Sequence, residues 1–353
     1  METNYRQRVD ALMASVQPMR GYKDTFMAHC KDYQPRISTG ILALDKALNG
    51  GLANELYIMA AETSTGKSAF LMWIAQEVAE IGVDVLYFAL EMGRDEFVAR
   101  GISSISFEHH RKDDAEKQVT AANVLYWTYD NKLKDFSKMA YSVYERYSDE
   151  YFDRYGKHLH IIESGLSGLT VKDIANVATL YKKQHPNNQM AVFIDYMQII
   201  KADPEDRSQS DRKTKTDVVT TTLKTLASQI GMPVLTISSI SRSNYNGKIS
   251  TSSFKESGDT EYTGGVLIGW NWDGVSDQSN EDNREKEKKI CKKRGYRNMS
   301  LDVLKYRNSE RDTSVHLKYY PAYNYFEEDD FKPAAINDPE VPYDTSKKKI
   351  VRA

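Results

Sequence analysis

Short apolar runs alternate with amphipathic stretches along much of this 353-residue chain. Continuous apolar runs are typical of strands buried on both faces, and they lie at 56–60, 85–90, 191–194 and 233–238. Apolar side chains three or four positions apart predict helices at 68–81, about 94–105 and 216–230. The alternation predicts an α/β fold with a mostly parallel, twisted sheet that helices cover on both faces.

A separate pattern occupies residues 1–35. One apolar stripe of a short helix consists of Val9, Leu12, Met13 and Val16. A second helical stretch runs toward Tyr33. Two such helices are too small to bury a core of their own. We therefore predict an N-terminal pair of linker helices that packs on the main body or on a neighbouring subunit.

The pattern changes between Glu108 and His160, where tyrosines and charged residues are frequent. Side chains three or four apart predict a long helix there: Leu133, Phe136, Ala140, Val143, Tyr147 and Tyr151. A tyrosine-rich surface can stack nucleic-acid bases, but such platforms usually lie on sheets or loops. We favour a helical insertion at about 108–160 that packs its own stripe.

The last part of the chain combines a hairpin with polar segments. Apolar patterns predict strands at 299–306 and 315–320 around a short turn. Residues 281–297 are almost all charged or polar with mixed signs, which predicts a solvated loop. The tail at 329–353 has prolines and a basic end, which predicts disorder. The main domain then spans 36–328.

Composition and charge limit the classes of protein that fit. The net charge is −2, so any contact with nucleic acid needs a local basic lining. No apolar stretch approaches the roughly 20 residues that span a bilayer, and the polar start is not that of a signal peptide. Cys30 and Cys291 lie far apart and indicate neither a disulfide framework nor a zinc site. We predict a cytoplasmic protein with no membrane association.

Residues 61–68 contain the strongest chemical signal in the chain. Between a predicted strand and a predicted helix the chain reads Ala61, Glu62, Thr63, Ser64, Thr65, Gly66, Lys67 and Ser68. A loop in that position binds the triphosphate of a nucleotide with its main-chain N–H groups and the positive end of the helix. We expect Lys67 to reach the β- and γ-phosphates and Ser68 to hold Mg²⁺. Ala61 stands where the usual signature begins with glycine.

Acidic residues follow two of the other predicted strands. In an open parallel sheet the ligand lies beyond the carboxyl ends of the strands, so these carboxylates are candidate site residues. Asp195 can hold Mg²⁺ opposite Ser68, although an aspartate that caps a turn is common. Glu91 can orient the water that attacks the γ-phosphate, or it can be an acid favoured at a helix N-terminus. Position alone leaves both roles of Glu91 open.

Two further groups of polar residues have less specific patterns. Lys305 and Arg307 share one face of a predicted strand and can complete a neighbouring subunit's site, but composition alone favours a solvated face. The polar segment 241–258 follows another strand end and suits either a contact to phosphate oxygens or a plain flexible loop. Its candidate residues are Arg242, Asn244, Lys248, Lys255, Glu256, Ser257 and Gly258.

The order of these motifs resembles that of one known family. Besides the phosphate loop, the matching segments are ISTG at 37–40, LD at 44–45, GGL at 50–52, YFALEM at 87–92, IDYMQ at 194–198, ISSISR at 237–242, KESG at 255–258 and KYRN at 305–308. Together they resemble the RecA-like ATPase domain of DnaB-type replicative helicases, a P-loop NTPase fold, over roughly residues 36–328. The combination is much more specific than any single motif.

The resemblance implies a hexameric ring that hydrolyses ATP with Mg²⁺ between subunits and pulls one strand of DNA through its centre, 5′ to 3′. Carried over by position, Lys67 and Ser68 bind phosphate and Mg²⁺, Asp195 holds the metal, and Glu91 is the catalytic carboxylate. Single-stranded DNA and further copies of the chain are the implied partners.

The resemblance also assigns roles at the boundary between subunits. Lys305 and Arg307 are implied to act on the γ-phosphate of the neighbouring subunit. The loops at 242–248 and 255–258 are implied to line the central channel. Residues 4–33 match the linker helix that docks on the adjacent subunit.

A few features depart from the family pattern. The family usually has glutamine where Ser239 stands and an acid where Gly265 stands. The residues before position 36 are too few for the amino-terminal domain that recruits primase, so primase or a helicase loader stays open as a partner. We predict a DNA helicase for replication. The alternatives are a DNA-bound ATPase switch that loads, clamps or recombines DNA without unwinding it, and a nucleotide-sensing scaffold.

Overall fold

The computed structural model forms two compact units, Met1–Ile37 and Ser38–Ala353. The described residues are 6, 9–10, 12–14, 16, 18–31, 35–112, 118–126, 138–165, 168–203, 212–240, 248–257, 264–273, 289–290, 293–306 and 313–329. Several predicted features fall outside them: Leu133, Phe136, the turn after residue 306, most of the polar segment 281–297 and the tail beyond 329.

The first unit contains short helices. A 3₁₀-helix covers Met19–Tyr22, α1 covers Lys23–Lys31, and described residues between 6 and 14 are also helical. Its exposed apolar side chains include Val9, Leu12, Met13, Val16, Met19, Phe26 and Met27. No described side chain before residue 31 is buried, so these helices form no core of their own in the described part of the unit.

The second unit is built on a sheet of nine described strands in the order β3-β2-β4-β5-β1-β6-β7-β8-β9. These are β1 Leu56–Ala61, β2 Asp84–Ala89, β3 Leu159–Glu163, β4 Met190–Asp195, β5 Val234–Ser239, β6 Val266–Trp272, β7 Arg297–Tyr306, β8 Thr313–Tyr320 and β9 Tyr325–Glu328. The first six strands in this spatial order, β3-β2-β4-β5-β1-β6, pair parallel with one another. The remaining pairs, β6-β7, β7-β8 and β8-β9, are antiparallel. The predicted mostly parallel sheet and the β7–β8 hairpin are confirmed.

Helices cover both faces of this sheet. They are α2 Leu42–Ala47, α3 Lys67–Glu80, α4 Arg94–His110, α5 Ala121–Tyr126, α6 Lys138–Tyr155, α7 Val171–Gln184 and α8 Arg212–Ile230, with 3₁₀-helices at Met197–Ile199 and Thr251–Ser257. On β1, Ile58 packs into the core beneath α7 and α8, whereas Tyr57 and Met59 lie with Phe70 of α3 on the other face. Strands buried on both faces explain the continuous apolar runs of the sequence. Among the described helices, none is long and apolar enough to span a membrane.

Some elements differ from those that the sequence predicts. The strands β3, β6 and β9 and the helix α7 were not predicted. Helix α4 continues to His110 instead of ending near Ile105. Its last turns bury Ser103, Ser104 and Ser106 together with Phe107, and buried serines hide the helical stripe from a reading based on polarity.

The insertion contributes α5 and α6. On α6, Tyr147, Tyr151 and Tyr155 are buried against Ile102 and Ile105 of α4. Because these rings are buried, they are not available to stack bases. The structure therefore favours the packing interpretation of the tyrosine stripe.

Candidate nucleotide-binding site

The phosphate loop turns sharply between β1 and α3. Gly66 caps α3 with φ at +99°, a left-handed conformation that favours glycine. A Cβ atom at this position would lie 2.4 Å from the ring of Tyr319. Backbone geometry and packing therefore both require glycine. The turn places Lys67 and Ser68 in the first turn of α3, at the carboxyl edge of the sheet.

A cavity of about 920 Å³ opens at this turn. Of the loop residues predicted to bind a nucleotide, those that line the cavity are Thr63, Ser64, Gly66, Lys67 and Ser68. Ala61 is instead the buried last residue of β1, in register with Ser239 of β5. Extended backbone suits alanine as well as glycine, which explains the departure from the usual signature.

Two other loop residues stabilise the turn rather than line the cavity. The Thr65 hydroxyl donates to the Glu62 carbonyl at 2.9 Å. The Thr65 carbonyl accepts a hydrogen bond from Nε1 of Trp270 at 3.2 Å. Glu62 and Thr65 thus stabilise the shape of the loop, while Thr63, Ser64, Gly66, Lys67 and Ser68 face the cavity.

Lys67 points toward the end of β5. Its Nζ donates to Ser239 Oγ at 3.2 Å and lies 5.5 Å from the centre of the Tyr196 ring. Gln198 holds Ser239 from behind, since its Oε1 accepts from the Ser239 N–H at 3.3 Å and its Nε2 donates to Ser238 Oγ at 2.9 Å. Gln198 was not predicted as a site residue, because its contact with Ser239 depends on how β4 and β5 are paired.

Ser68 and Asp195 meet at the same edge. The Ser68 hydroxyl donates to Asp195 Oδ1 at 3.1 Å, and the Tyr87 hydroxyl donates to Oδ2 at 3.3 Å. Burial raises the pKa of Asp195 to about 6, the charge of Glu91 adds to the rise, and the hydrogen bond from Ser68 opposes it. Burial and the charge of Asp195 raise the pKa of Tyr87 well above its ordinary value, so this phenol stays a hydrogen-bond donor.

The cavity wall carries charges of both signs. Glu91 follows β2, is exposed and lines the cavity, as do Glu96 and Arg100 of α4. Arg100 forms an ion pair with Glu96 one turn earlier. Lys67, Arg100 and Arg297 bring positive charge to this cavity from three different elements, which suits a ligand with several negative charges.

Arg297 lies beside the phosphate loop at the start of β7. Its Nη1 donates to the Ser64 carbonyl at 2.9 Å, and its guanidinium lies 5.4 Å from the Trp272 ring and 5.7 Å from the Tyr319 ring. Burial lowers the pKa of Arg297. The prediction that 281–297 is a solvated loop is therefore wrong for Arg297. Pairing of β7 with β6 brings this residue to the site, and composition does not show that pairing.

Lys305 lies near the other end of β7. It is in register with Leu267 of β6, which is in register with Ile58 of β1. Ile58 precedes Ala61 by three residues, so Lys305 lies roughly 10 Å back from the strand edge that carries the phosphate loop. Its Nζ donates to the Gly264 carbonyl at 3.1 Å. Arg307 lies outside the described residues.

The segment predicted to contact DNA is described in part. Arg242, Asn244 and Gly258 lie outside the described residues, and Lys255, Glu256 and Ser257 belong to the 3₁₀-helix Thr251–Ser257. The half-exposed side chain of Lys248 places its Nζ 3.2 Å from Oδ1 of the buried Asp302. Lys248 thus contacts a carboxylate of its own chain.

The arrangement can bind a polyphosphate and act on it. The N-terminus of α3, the ammonium group of Lys67 and the guanidinium groups of Arg100 and Arg297 attract phosphate oxygens. The hydroxyl of Ser68 and the carboxylate of Asp195 are hard oxygen donors of the kind that Mg²⁺ takes. An exposed carboxylate such as Glu91 at the rim can accept a hydrogen bond from an attacking water.

Comparisons with known proteins identify the family of this chain. The family model of the DnaB-like helicase C terminal domain matches residues 36–328. The replicative DNA helicase DnaC of Bacillus subtilis (strain 168) is 27% identical over 263 residues, 73% of this chain and 52% of that protein. The replicative DNA helicase DnaB of Geobacillus stearothermophilus is 27% identical over 226 residues, 63% of this chain and 43% of that protein. The chain spans about half the length of the curated relatives it matches.

Solved structures share the fold. The ATPase domain of G40P matches with a TM-score of 0.67 at 19% identity, over 89% of this chain and 99% of that chain. A DnaB-like replicative helicase, solved to show its interactions with primase, matches with a TM-score of 0.63 at 19% identity, over 91% of this chain and 71% of that chain. The predicted RecA-like fold is confirmed. Because the family model covers most of its residues, this chain belongs to the family of DnaB-like helicase C-terminal domains.

Proposed function

We propose that this chain is the ATP-hydrolysing motor of a DnaB-type DNA helicase that translocates on single-stranded DNA during replication. The observation that carries the proposal is that Lys67 and Ser68 line one charged cavity at the carboxyl edge of the sheet, with the buried Asp195 hydrogen-bonded to Ser68. In sheets of this kind, the nucleotide binds at that edge. A cytoplasmic location is proposed together with this function.

ATP and Mg²⁺ are the proposed ligands. Lys67 would bind the β- and γ-phosphates, and Ser68 with Asp195 would hold the metal. The raised pKa of the Asp195 carboxyl fits a group whose charge a bound cation would stabilise. When bound, Mg²⁺ would supply positive charge to the phosphate oxygens. Glu91 is proposed to orient the attacking water, because it is the exposed carboxylate that follows β2 at the cavity.

Uncharged residues of the cavity lining suit the rest of the nucleotide. Tyr319, Pro321, Ala322 and Asn324 line the cavity and are uncharged. An aromatic ring and a proline offer flat apolar surface to a sugar and a base. We propose that the ribose and adenine lie against these residues.

A second copy of the chain is proposed to complete each site. Lys305 lies roughly 10 Å back from the edge that carries its own chain's phosphate loop, so it is badly placed to act there. Lys305 and Arg307 are instead proposed to act on the neighbour's γ-phosphate, a role worth about 10³–10⁵ in rate where it is known. Closed assemblies of identical chains satisfy this geometry, and we propose a hexameric ring. The exposed apolar side chains of the first unit support docking of residues 4–33 on an adjacent subunit.

DNA is proposed to contact the segments 242–248 and 255–258. The first segment comes soon after the end of β5, and the second contains the last three residues of the 3₁₀-helix Thr251–Ser257. The end of β5 contacts Lys67 through Ser239, so the first segment follows closely in sequence from the proposed phosphate site. The related DnaB-like structure was solved for its interactions with primase, and primase or a loader is a candidate partner here.

One observation favours a second function, a DNA-bound ATPase switch without processive unwinding. Ser239 has a short side chain, whose hydroxyl accepts a hydrogen bond from Lys67 Nζ, while its main-chain N–H donates to Oε1 of Gln198. A motor needs a group that links the state of the nucleotide to the DNA loops. Ser239 must do this through the main chain.

One experiment separates the two functions. Purified full chain would be given a forked duplex with a 5′ single-stranded tail, ATP and Mg²⁺. Strand separation that Lys67→Ala abolishes supports the motor. DNA-stimulated ATP hydrolysis without strand separation supports the switch. Hydrolysis that is indifferent to DNA contradicts both and leaves a nucleotide-sensing scaffold.

A further inference from the structure

A buried carboxylate occupies the middle of β7. Asp302 is 3% exposed, and its neighbours along the strand, Leu301 and Val303, are fully buried. Asp302 Oδ2 accepts from Asn271 Nδ2 at 2.6 Å, and Oδ1 lies 3.2 Å from Lys248 Nζ. Hydroxyl groups of the adjoining strand positions complete its set of donors: Ser300 and Ser314. A buried charge of this kind is tolerated because it is paired and hydrogen-bonded.

The same network also holds the residue after Lys248. Asn271 Oδ1 accepts from the Ile249 N–H at 2.9 Å. Gly269 leaves room for this approach, since a Cβ atom there would lie 3.3 Å from both Cβ and the carbonyl oxygen of Ile249. Two consecutive residues are therefore held by buried side chains of the sheet. Lys248 is held through its side chain by Asp302 of β7, and Ile249 through its main chain by Asn271 of β6.

Residues 248–257, the anchor segment, continue from this attachment into the core. Ile249 is 2% exposed and Phe254 is 1% exposed. The anchor segment begins at Lys248, the last residue of the first segment proposed to contact DNA, and it ends in the second proposed contact. The attachment on Asp302 therefore sets where both contacts leave the body of the protein.

We propose that Asp302 is a positioning residue for DNA binding. It holds the anchor segment through Lys248 and Asn271, and Lys248 serves as the anchor's cation instead of contacting a DNA phosphate directly. Strand β7 also carries Arg297, which donates a hydrogen bond to Ser64 of the phosphate loop. One strand then contacts both the proposed nucleotide site and the anchor segment. The inference rests on the proposed function, because it requires that the chain bind DNA.

The test measures the affinity of the full chain for an oligo(dT) strand over a series of salt concentrations. Each phosphate contact to a single strand contributes about 0.7 to the slope of log affinity against log salt. We expect Lys248→Gln to weaken binding about 3- to 30-fold, the range of coupling effects, while the slope stays unchanged. A slope lower by about 0.7 would make Lys248 a direct phosphate contact and overturn the proposal.

Asp302→Asn supplies the second measurement. We expect it to weaken DNA binding as much as Lys248→Gln does, to reduce the stimulation of ATP hydrolysis by DNA, and to leave hydrolysis without DNA unchanged. The double variant should be no worse than either single variant, because both remove one interaction. The matched control is Lys318→Gln on β8. It removes an ion pair of 3.0 Å with Asp329 and should change none of these values.

Two outcomes must be kept apart. If Asp302→Asn binds DNA and responds to it like the unaltered chain, the positioning role is wrong although the helicase proposal stands. If the unaltered chain itself does not bind oligo(dT), the proposed function fails first. Thermal unfolding of each variant shows whether it is folded, and Ser314→Ala, a milder loss at the same carboxylate, replaces Asp302→Asn if that variant does not fold.

Discussion

Tyr87 shows how a single side chain outside the loop shapes the proposed metal site. Its hydroxyl donates to Asp195 Oδ2, and its ring packs edge-on against Phe97 at 4.7 Å and parallel to Phe193 at 6.2 Å. The ring is fully buried, so water does not compete for the hydrogen bond of its hydroxyl. Tyr87 therefore fixes one oxygen of Asp195 while Ser68 approaches the other.

Replacing Tyr87 with phenylalanine removes this hydrogen bond and keeps the packed ring. Loss of a group that orients a metal ligand typically weakens the site 10- to 100-fold. We expect the Mg²⁺ concentration for half-maximal ATP hydrolysis to rise about 10-fold. The control is Tyr181→Phe, which removes a hydroxyl that donates to Asp84, outside the cavity, and should leave the Mg²⁺ dependence unchanged. An unchanged dependence in Tyr87→Phe would contradict the orienting role.

Glu77 on α3 is a carboxyl group in an unfavourable place. Desolvation raises its pKa to about 7, the charges of Glu80 and Glu108 add to the rise, and the charge of Arg154 opposes it. Since the folded-state pKa lies above the ordinary value of 4.5, the folded protein favours the protonated form. The contribution to stability is complete below pH 4.5 and is lost as the pH rises through 7.

We therefore expect Glu77→Gln to stabilise the protein at alkaline pH only. A pKa difference of one corresponds to about 1.4 kcal/mol, so the gain in free energy of unfolding should reach roughly 1–3 kcal/mol above pH 8. Urea unfolding at pH 5 and at pH 8.5 measures it. Glu145→Gln, an exposed carboxyl on α6, is the control. A gain of equal size at both pH values would point to packing instead of ionisation.

Some residues of the proposed site can be identified from the neighbouring sequence, and others only from the three-dimensional structure. Lys67, Ser68 and Asp195 each follow or precede an apolar run, so local pattern suffices to identify them. Gln198 and Arg297 reach the site through strand pairing, which is decided by contacts between distant parts of the chain. Arg297 comes at the end of a charged and polar stretch, which gives no local sign that it lies close to two aromatic rings.

At the scale of elements, close contact between α4 and α6 fixes the insertion to the body. A Cβ atom at Gly101 of α4 would lie 2.1 Å from the Tyr151 ring of α6 and 2.5 Å from Nε2 of Gln76. The tyrosine ring is buried and rigid in its surroundings, whereas the end of Gln76 can move. The glycine is thus needed for the helices to approach.

Gly101→Ala should destabilise the protein by about 1–3 kcal/mol, although alanine is the better helix former by about 1 kcal/mol. The reason is overpacking against Tyr151. In a Tyr151→Ala background the ring is gone, and the same substitution should become neutral or stabilising. Denaturant midpoints of the four chains measure this reversal. A loss of the same size in both backgrounds would show that the tyrosine is not the cause.

Element prediction succeeded where burial on both faces makes a strand uniformly apolar, as in β1, β2 and β4. It missed β6, whose Gly269 makes room for Ile249 and whose Asn271 bonds to Asp302. These residues look like loop residues until their partners are known. It also missed β3, which lies at the sheet edge with partly exposed side chains. Edge strands need not be apolar, so their pattern is weak.

At the scale of the whole molecule, the proposed function requires that a second copy of the chain completes each site. Lys67, Ser68, Asp195 and Glu91 supply the carboxyl edge, while the Lys305 end of β7 lies away from it. If Arg307 acts on a neighbour, a defective pocket and a defective finger can compensate for each other when they are in different subunits.

We expect Lys67→Ala and Arg307→Ala to be inactive alone, with Arg307→Ala still binding nucleotide, and a mixture of the two to recover ATP hydrolysis after subunit exchange. With random mixing, roughly a quarter of subunit boundaries would pair an intact pocket with an intact finger. The control mixes Lys67→Ala with the double variant, where no boundary is complete. Recovery in the control, or none in the test mixture, would rule out action between subunits.

The length of β7 gives the proposed assembly a specific property. Arg297 touches the phosphate loop of its own chain, and Lys305 lies eight residues further along the strand, roughly 26 Å away. Between them the strand is paired with β8 at the Arg297 end, with β6 at the Lys305 end and with both over 299–303. If the Lys305 end meets the next subunit's nucleotide, each β7 is a stiff connection between two neighbouring nucleotide sites. A β-sheet, rather than a flexible linker, would then connect the nucleotide sites of neighbouring subunits. Movement at one site would be passed to the next with little loss, which would set the order of hydrolysis around the ring.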